Sequence, residues 1–90
     1  MIPLSLLDLT RVREDQGPGV ALHNAARIAA HVEALDFKRY WVAEHHNMVG
    51  VASAAVPVVM AHVATQTSRI RIGAGGIMLP NHAPYIVAEQ

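Results

Sequence analysis

Ninety residues allow one domain, spanning 1–90, and a 52% hydrophobic share, mostly Ala, Val, Ile and Leu, gives it a small core. Seven basic and seven acidic residues cancel, and no basic stripe marks a nucleic-acid surface, so nucleic acid is not an expected partner. Cysteine is absent, which excludes a disulfide or thiolate–zinc staple and fits a reducing compartment.

The start, MIPLSLLD, has no cationic leader region. The longest mostly apolar run, Val51 to Ala64, is interrupted by Ser53, Pro57 and His62 and is shorter than the ~20 residues a membrane span needs. The expectation is a soluble, cytoplasmic protein with no membrane partner.

In chain order, Ile2 to Leu7 reads as a short apolar strand. Asp8 to Gly19 is polar, contains Gly17-Pro18-Gly19 and reads as a loop. From Val20 the period changes. Ala21, Ala25, Ile28, Val32 and Leu35 recur at helical spacing and form one apolar stripe, with Asn24, Arg27 and His31 opposite. A second strand is predicted over Arg39 to Glu44 and a loop over His45 to Ala52. A second helix follows from about Ala54 to Gln66, with Ser53 as its cap and Pro57 in or near its first turn. Arg69 to Ala74 is a third strand, ended by Gly75 and Gly76. IMLPNHAP is a loop, and Tyr85 to Gln90 begins a third helix.

The order β-α-β-α-β-(α) implies an α/β fold with parallel pairing through right-handed crossovers. The third strand alternates, with Ile70, Ile72 and Ala74 on one side and Arg69, Arg71 and Gly73 on the other. One of its faces therefore meets water, another chain or a polar interior.

Ligands of parallel α/β sheets gather at the carboxyl ends of the strands. Asp8, the run Glu44-His45-His46-Asn47 and the segment Gly75 to His82 fall there; the helical His23, His31 and His62 do not. Three readings of the histidine pair stay open. A metal site is disfavoured and none is expected: adjacent strand residues point to opposite faces, the spacing matches no zinc signature, and nothing brings Asp8 and His82 to the same place. In acid–base catalysis, Glu44 or Asp8 would orient His45. Alternatively, Glu44 and His46 merely satisfy loop backbone. The Gly73-Ala74-Gly75-Gly76 run is no dinucleotide fingerprint. It is either a tight turn or bare backbone against which a flat ligand can lie.

LSLLDL, YWVAEHHN and SRIRIGAGGIMLPNHAP, in that order and followed by IVAEQ, resemble the N-terminal part of the bacterial luciferase-like flavin monooxygenases, most closely the single-component alkanal-monooxygenase-like subgroup. The resemblance covers nearly all of the chain. It implies a (β/α)8 (TIM) barrel that uses reduced FMN and O2 to oxidise a small organic substrate such as an aldehyde. It also implies that His45 is the catalytic acid or base, supported by Asp8, Glu44 and His46. Ala74, Gly75 and Gly76 would then bind the flavin, with a cis peptide bond at Ala74-Gly75 or, preferably, Gly75-Gly76.

A complete barrel needs about 250 residues; three strands are a partial TIM barrel, and no phosphate clamp is recognisable. The expectation is thus a truncated or short form whose parallel three-stranded unit is completed by oligomerisation. Leu4, Leu6, Val42 and Ile72 are expected on the cylinder's inner face, where leaving them wet costs ~25 cal/mol per Å². The open edges, the first and third strands, invite pairing with sister copies, and twofold symmetry would give six strands from two chains. The alternative to an enzyme is a non-catalytic, self-associating barrel fragment.

Overall fold

The computed structural model describes residues 1–90. Its elements are β1 (Ser5–Asp8), α1 (Pro18–Ala34), β2 (Arg39–Val42), α2 (Val56–Ala64), β3 (Arg71–Ala74), a 3-10 turn (Leu79–Asn81) and α3 (Pro84–Glu89). The strands form one parallel sheet in the order β1-β2-β3. The α/β order read from the sequence is therefore the observed one, and β1 and β3 are the edges. Each strand is shorter than predicted. The shared register runs only from the row Ser5–Arg39–Arg71 to the row Asp8–Val42–Ala74.

Helix boundaries follow local chemistry. Pro18 occupies the first turn of α1, where a missing N–H costs nothing, so the helix begins two residues before the predicted Val20. After α1, Asp36 adopts a left-handed φ of 62°, and the Phe37 N–H returns to the Val32 carbonyl at 3.0 Å. This closes the helix and turns the chain into β2. Pro57 lies in the first turn of α2, as expected. Ser53 does not cap that helix. Its hydroxyl donates to the Ala43 carbonyl at 2.6 Å and the residue is fully buried, so Ser53 instead ties the loop before α2 to the end of β2.

Both helices cover one face of the sheet. Tyr40 and Val42 of β2 pack with Ala25, Ala29 and Val32 of α1 and with Val56, Val59 and Val63 of α2, and Leu6, Ile72 and Ala74 line the same layer. Fully burying a side chain of this size contributes ~1.5–3 kcal/mol. This corrects the predicted orientation: Val42, Leu6 and Ile72 lie beneath the helices and not on the cylinder's inner face. The reason is the pairing of Trp41 with Gly73. A Cβ on Gly73 would come within 2.9 Å of the Trp41 ring, so the indole fills the space that glycine leaves on the other face. Alternation then commits Tyr40 and Val42 to the helices. The uncovered face carries Leu7, Trp41, Gly73 and, at its lower rim, Arg39 and Arg71. Leu7 there is 55% exposed.

The apolar stripe of α1 is also rotated from its prediction. Ala21, Ala25, Ala26, Ala29 and Val32 are buried, whereas Ile28 and Leu35 are exposed. Alanines admit the close approach of α1 to α2, and this small-residue face wins over the larger side chains beside it. Finally, Glu33 near the end of α1 accepts the N–H groups of Ser68, Arg69 and Ile70 at 3.0, 2.6 and 2.8 Å. It anchors the chain just before β3.

Candidate active site

The carboxyl end of β2 continues into Ala43, Glu44, His45, His46 and Asn47. The Glu44 side chain is completely buried, and two imidazoles converge on it. His46 Nε2–H donates to Oε2 at 2.7 Å, and His82 Nε2–H donates to Oε1 at 2.9 Å. The bond from His46, then that from His82, holds the Glu44 carboxyl down at about 2, against the opposing cost of burial. His46 reaches Glu44 from two residues further along the loop. His45 lies between them, its backbone N–H bonded to the Ser53 carbonyl at 3.3 Å. Its Nδ1 is buried with no partner.

Asp8 does not join this group. Its Oδ2 accepts the Tyr40 hydroxyl and its Oδ1 accepts the Thr10 N–H at 2.8 Å. By register Asp8 sits in the row of Val42 and Ala74, on the helix-covered side. The expectation that Asp8 orients His45 is therefore replaced by a brace between the end of β1 and Tyr40. Burial first, and then Asp8, pushes the Tyr40 phenol far above its ordinary range. Thr10 is buried with a left-handed φ of 45°, an unfavourable conformation for a β-branched residue. It is held there by Asp8 and by the Ala52 N–H on its carbonyl at 3.0 Å.

At the neighbouring strand end, the Gly75-Gly76 peptide bond is cis, the preferred of the two bonds named above. The Gly75 N–H donates to the Val42 carbonyl at 2.7 Å, which continues the β2–β3 ladder past Ala74. A Cβ on Gly75 would press on Trp41 Cβ at 3.1 Å and on Leu7 at 3.4 Å, whereas a Cβ on Gly76 would meet nothing within 4 Å. Ala74 faces the helix layer with Ile72, so only its backbone belongs to this rim. The rim thus offers bare, open backbone at Gly76 beside a loop whose His45 has an unsatisfied nitrogen. The open backbone suits the flat face of a heterocycle such as a flavin ring, whereas the His45 nitrogen is enclosed and reaches a ligand only if its ring turns. Arg11 and Arg13, both exposed, follow β1 at this end of the sheet, Arg13 being 3.4 Å from Asp15. Lys38, Arg39, Arg69 and Arg71 lie at the opposite end. An apolar cavity of about 390 Å³, lined by Met60, Ile72, Ala74, Ile77 and Val87, opens on the helix side and away from His45.

His82 is the participant that the sequence did not place. Its signal was its position: like Glu44 and His46, it follows a strand at the carboxyl edge. What was missing was the path of the Met78–His82 turn that brings it back.

The luciferase-like monooxygenase family model matches residues 2–90, and the chain belongs to that family. A luciferase-like monooxygenase of Escherichia coli K12 is 44% identical over 89 residues, which are 99% of this chain and 27% of that protein. The crystal structure of apo-MsnO8 superposes with a TM-score of 0.94 at 35% identity, covering 99% of this chain and 27% of that one. A type II Baeyer–Villiger monooxygenase, the oxygenating constituent of 3,6-diketocamphane monooxygenase from Pseudomonas putida, solved with FMN, shares the fold with a TM-score of 0.86. At 16% identity, over 96% of this chain and 24% of that one, it speaks to the fold alone. The chain spans about a quarter of the length of these relatives.

No helix is long and apolar enough to cross a membrane.

Proposed function

We propose that these residues form the flavin-facing first part of an FMN-dependent monooxygenase of the alkanal-monooxygenase-like kind, acting on a small organic substrate such as an aldehyde. Bound reduced FMN would supply the electrons that activate O2. The observation that carries this reading is the open Gly76 backbone beyond the end of β3, beside the neighbouring strand end that leads into His45, within a chain of this family.

Each residue then has a role. The backbone of Ala74, Gly75 and Gly76 lies against the flavin ring, where a side chain at Gly76 would intrude. His45 holds or delivers a proton, as an imidazole can near neutral pH. Glu44 and His46 keep the loop around His45 in place. Leu7 and Trp41 supply an apolar wall.

Titration of FMN with the purified chain, followed by quenching of flavin fluorescence, tests the reading. Saturable quenching is expected, and Gly76→Val should abolish it while leaving the far-UV circular dichroism unchanged, because its side chain meets open space. Absence of quenching at tens of micromolar FMN would refute binding by this chain.

A second reading is favoured by the open edges of β1 and β3 and by the wet Leu4 and Leu7: copies of the chain associate through these edges. Twofold pairing would cover one edge of each copy and join the two sheets into six strands. Sedimentation equilibrium decides this, and a well-folded monomer at high micromolar concentration would exclude it.

A further inference from the structure

We propose that Glu44, His46 and His82 form a binding site for a divalent first-row transition metal of the zinc or cobalt type, separate from His45 and independent of the flavin reading. The three side chains arrive from two loops, and one ligand-capable atom of each lies within 4.8 Å of the others. Two imidazoles and one carboxylate are a donor set that such metals favour over calcium or magnesium.

The geometry is near what a metal requires. In a tetrahedral site with bonds of about 2.0–2.2 Å, neighbouring ligand atoms stand about 3.3 Å apart. Here Nε2 of His46 is 2.7 Å from Oε2 of Glu44, and Nε2 of His82 is 2.9 and 3.1 Å from the two carboxylate oxygens. Widening these contacts by about 0.2–0.6 Å, with the two imidazole nitrogens brought to a similar separation from one another, admits an ion. Neither imidazole is deeply embedded: the His46 and His82 side chains are 41% and 34% exposed, against none for Glu44. The rings can therefore turn slightly. Each neutral ring exchanges its Nε2 proton for one on Nδ1 when Nε2 takes the metal, so no ring need change charge.

Glu44 and His46 meet directly in the loop after β2, and His45 stays outside the cluster. The buried carboxylate supplies the negative charge, and the metal would join the loop after β2 to the turn after β3 more firmly than two hydrogen bonds do.

The test is titration of the 90-residue chain with Co2+, read by visible absorption, and then displacement with Zn2+. Saturation at one equivalent is expected, with tetrahedral or five-coordinate bands that vanish on adding Zn2+. His82→Gln and His46→Gln should each weaken binding ~10-fold or more, and His31→Gln, an exposed helical histidine, should leave it unchanged. Paramagnetic broadening in NMR spectra should be strongest at His46 and His82. His46→Gln retains the Glu44–His82 bond and so serves if the His82 variant unfolds. Absence of saturable binding, or wild-type affinity in both variants, would overturn the proposal.

Discussion

The imidazole of His82 stands 2.9 Å from the carboxylate of Glu44, although 38 residues separate them in the chain. That bond crosses from the loop after β2 to the turn beyond β3. It turns two adjacent loops into one rim. Glu44 can be buried only because His46 and His82 both donate to it; a buried carboxylate without partners would be protonated or would expel the loop.

The rim should therefore be acid-labile. The folded Glu44 carboxyl titrates at about 2, below its ordinary 4.5, so its stabilising contribution is complete above about pH 4.5. It is lost as pH falls towards 2. Urea unfolding measured from pH 6 down to pH 2.5 should show stability declining below about pH 4.5, and Glu44→Gln should flatten that decline. A Glu44→Gln profile parallel to that of the wild type would show that the carboxylate is not held this way.

Glu33 predicts a second acid-sensitive point at the other end of the sheet. Backbone N–H donors, Ile70 first and then Arg69 and Ser68, bring its carboxyl to about 2, so the same pH window applies. Glu33→Ala leaves three amides without their acceptor. Hydrogen exchange at Ser68, Arg69 and Ile70 should then accelerate by an order of magnitude or more, while the amide of Gly75, bonded to Val42, keeps its protection. Equal acceleration at both places would mean global destabilisation instead of a local anchor.

The strand–helix order and the cluster of chemistry at the strand ends could be read directly, because proline, glycine and the change of period at Val20 are local signals. Which face of β2 meets the helices could not. Tyr40, Trp41 and Val42 are all bulky, so alternation defines two faces without saying which is covered. That was decided by Gly73, thirty-odd residues away, whose missing side chain receives the Trp41 ring. Asp8 was misplaced for the same reason, since its direction follows from that choice. The Glu44–His82 bond depends on a turn of irregular backbone, for which a single sequence carries no periodic signal.

The Tyr40–Asp8 brace makes a further expectation. Tyr40 is fully buried and its hydroxyl has Asp8 as its acceptor. Tyr40→Phe should cost about 2 kcal/mol, the usual worth of a hydrogen bond to a charged group, measured by denaturant unfolding at pH 7. The folded phenol is raised above its ordinary 10, so its contribution is present below pH 10 and is lost as pH rises beyond it. Alkaline titration at 295 nm should therefore show a tyrosinate step that coincides with unfolding and disappears in Tyr40→Phe. A step that precedes unfolding and is lost with Tyr40 would mean that the phenol is accessible.

The stacking of Trp41 on Gly73 can be tested by coupling the two positions. A methyl group at Gly73 would stand 2.9 Å from Cζ3 of the indole, closer than real Cβ atoms come, and 3.1 Å from Cε3, a tight contact. Gly73→Ala must therefore displace the ring, at a cost of about 1–3 kcal/mol. Phenylalanine at position 41 lacks the second ring that carries those atoms. In the Trp41→Phe background the same change should be milder by about 1 kcal/mol, measured as a coupling energy from circular-dichroism unfolding curves. Trp41 is the single tryptophan, so its emission should also shift to the red in Gly73→Ala as the ring lifts into water. Gly76→Ala, with nothing within 4 Å of its Cβ, should change neither stability nor emission. If Gly73→Ala proves as harmless as Gly76→Ala, the indole does not lie across Gly73, and the assignment of the two sheet faces loses its physical cause.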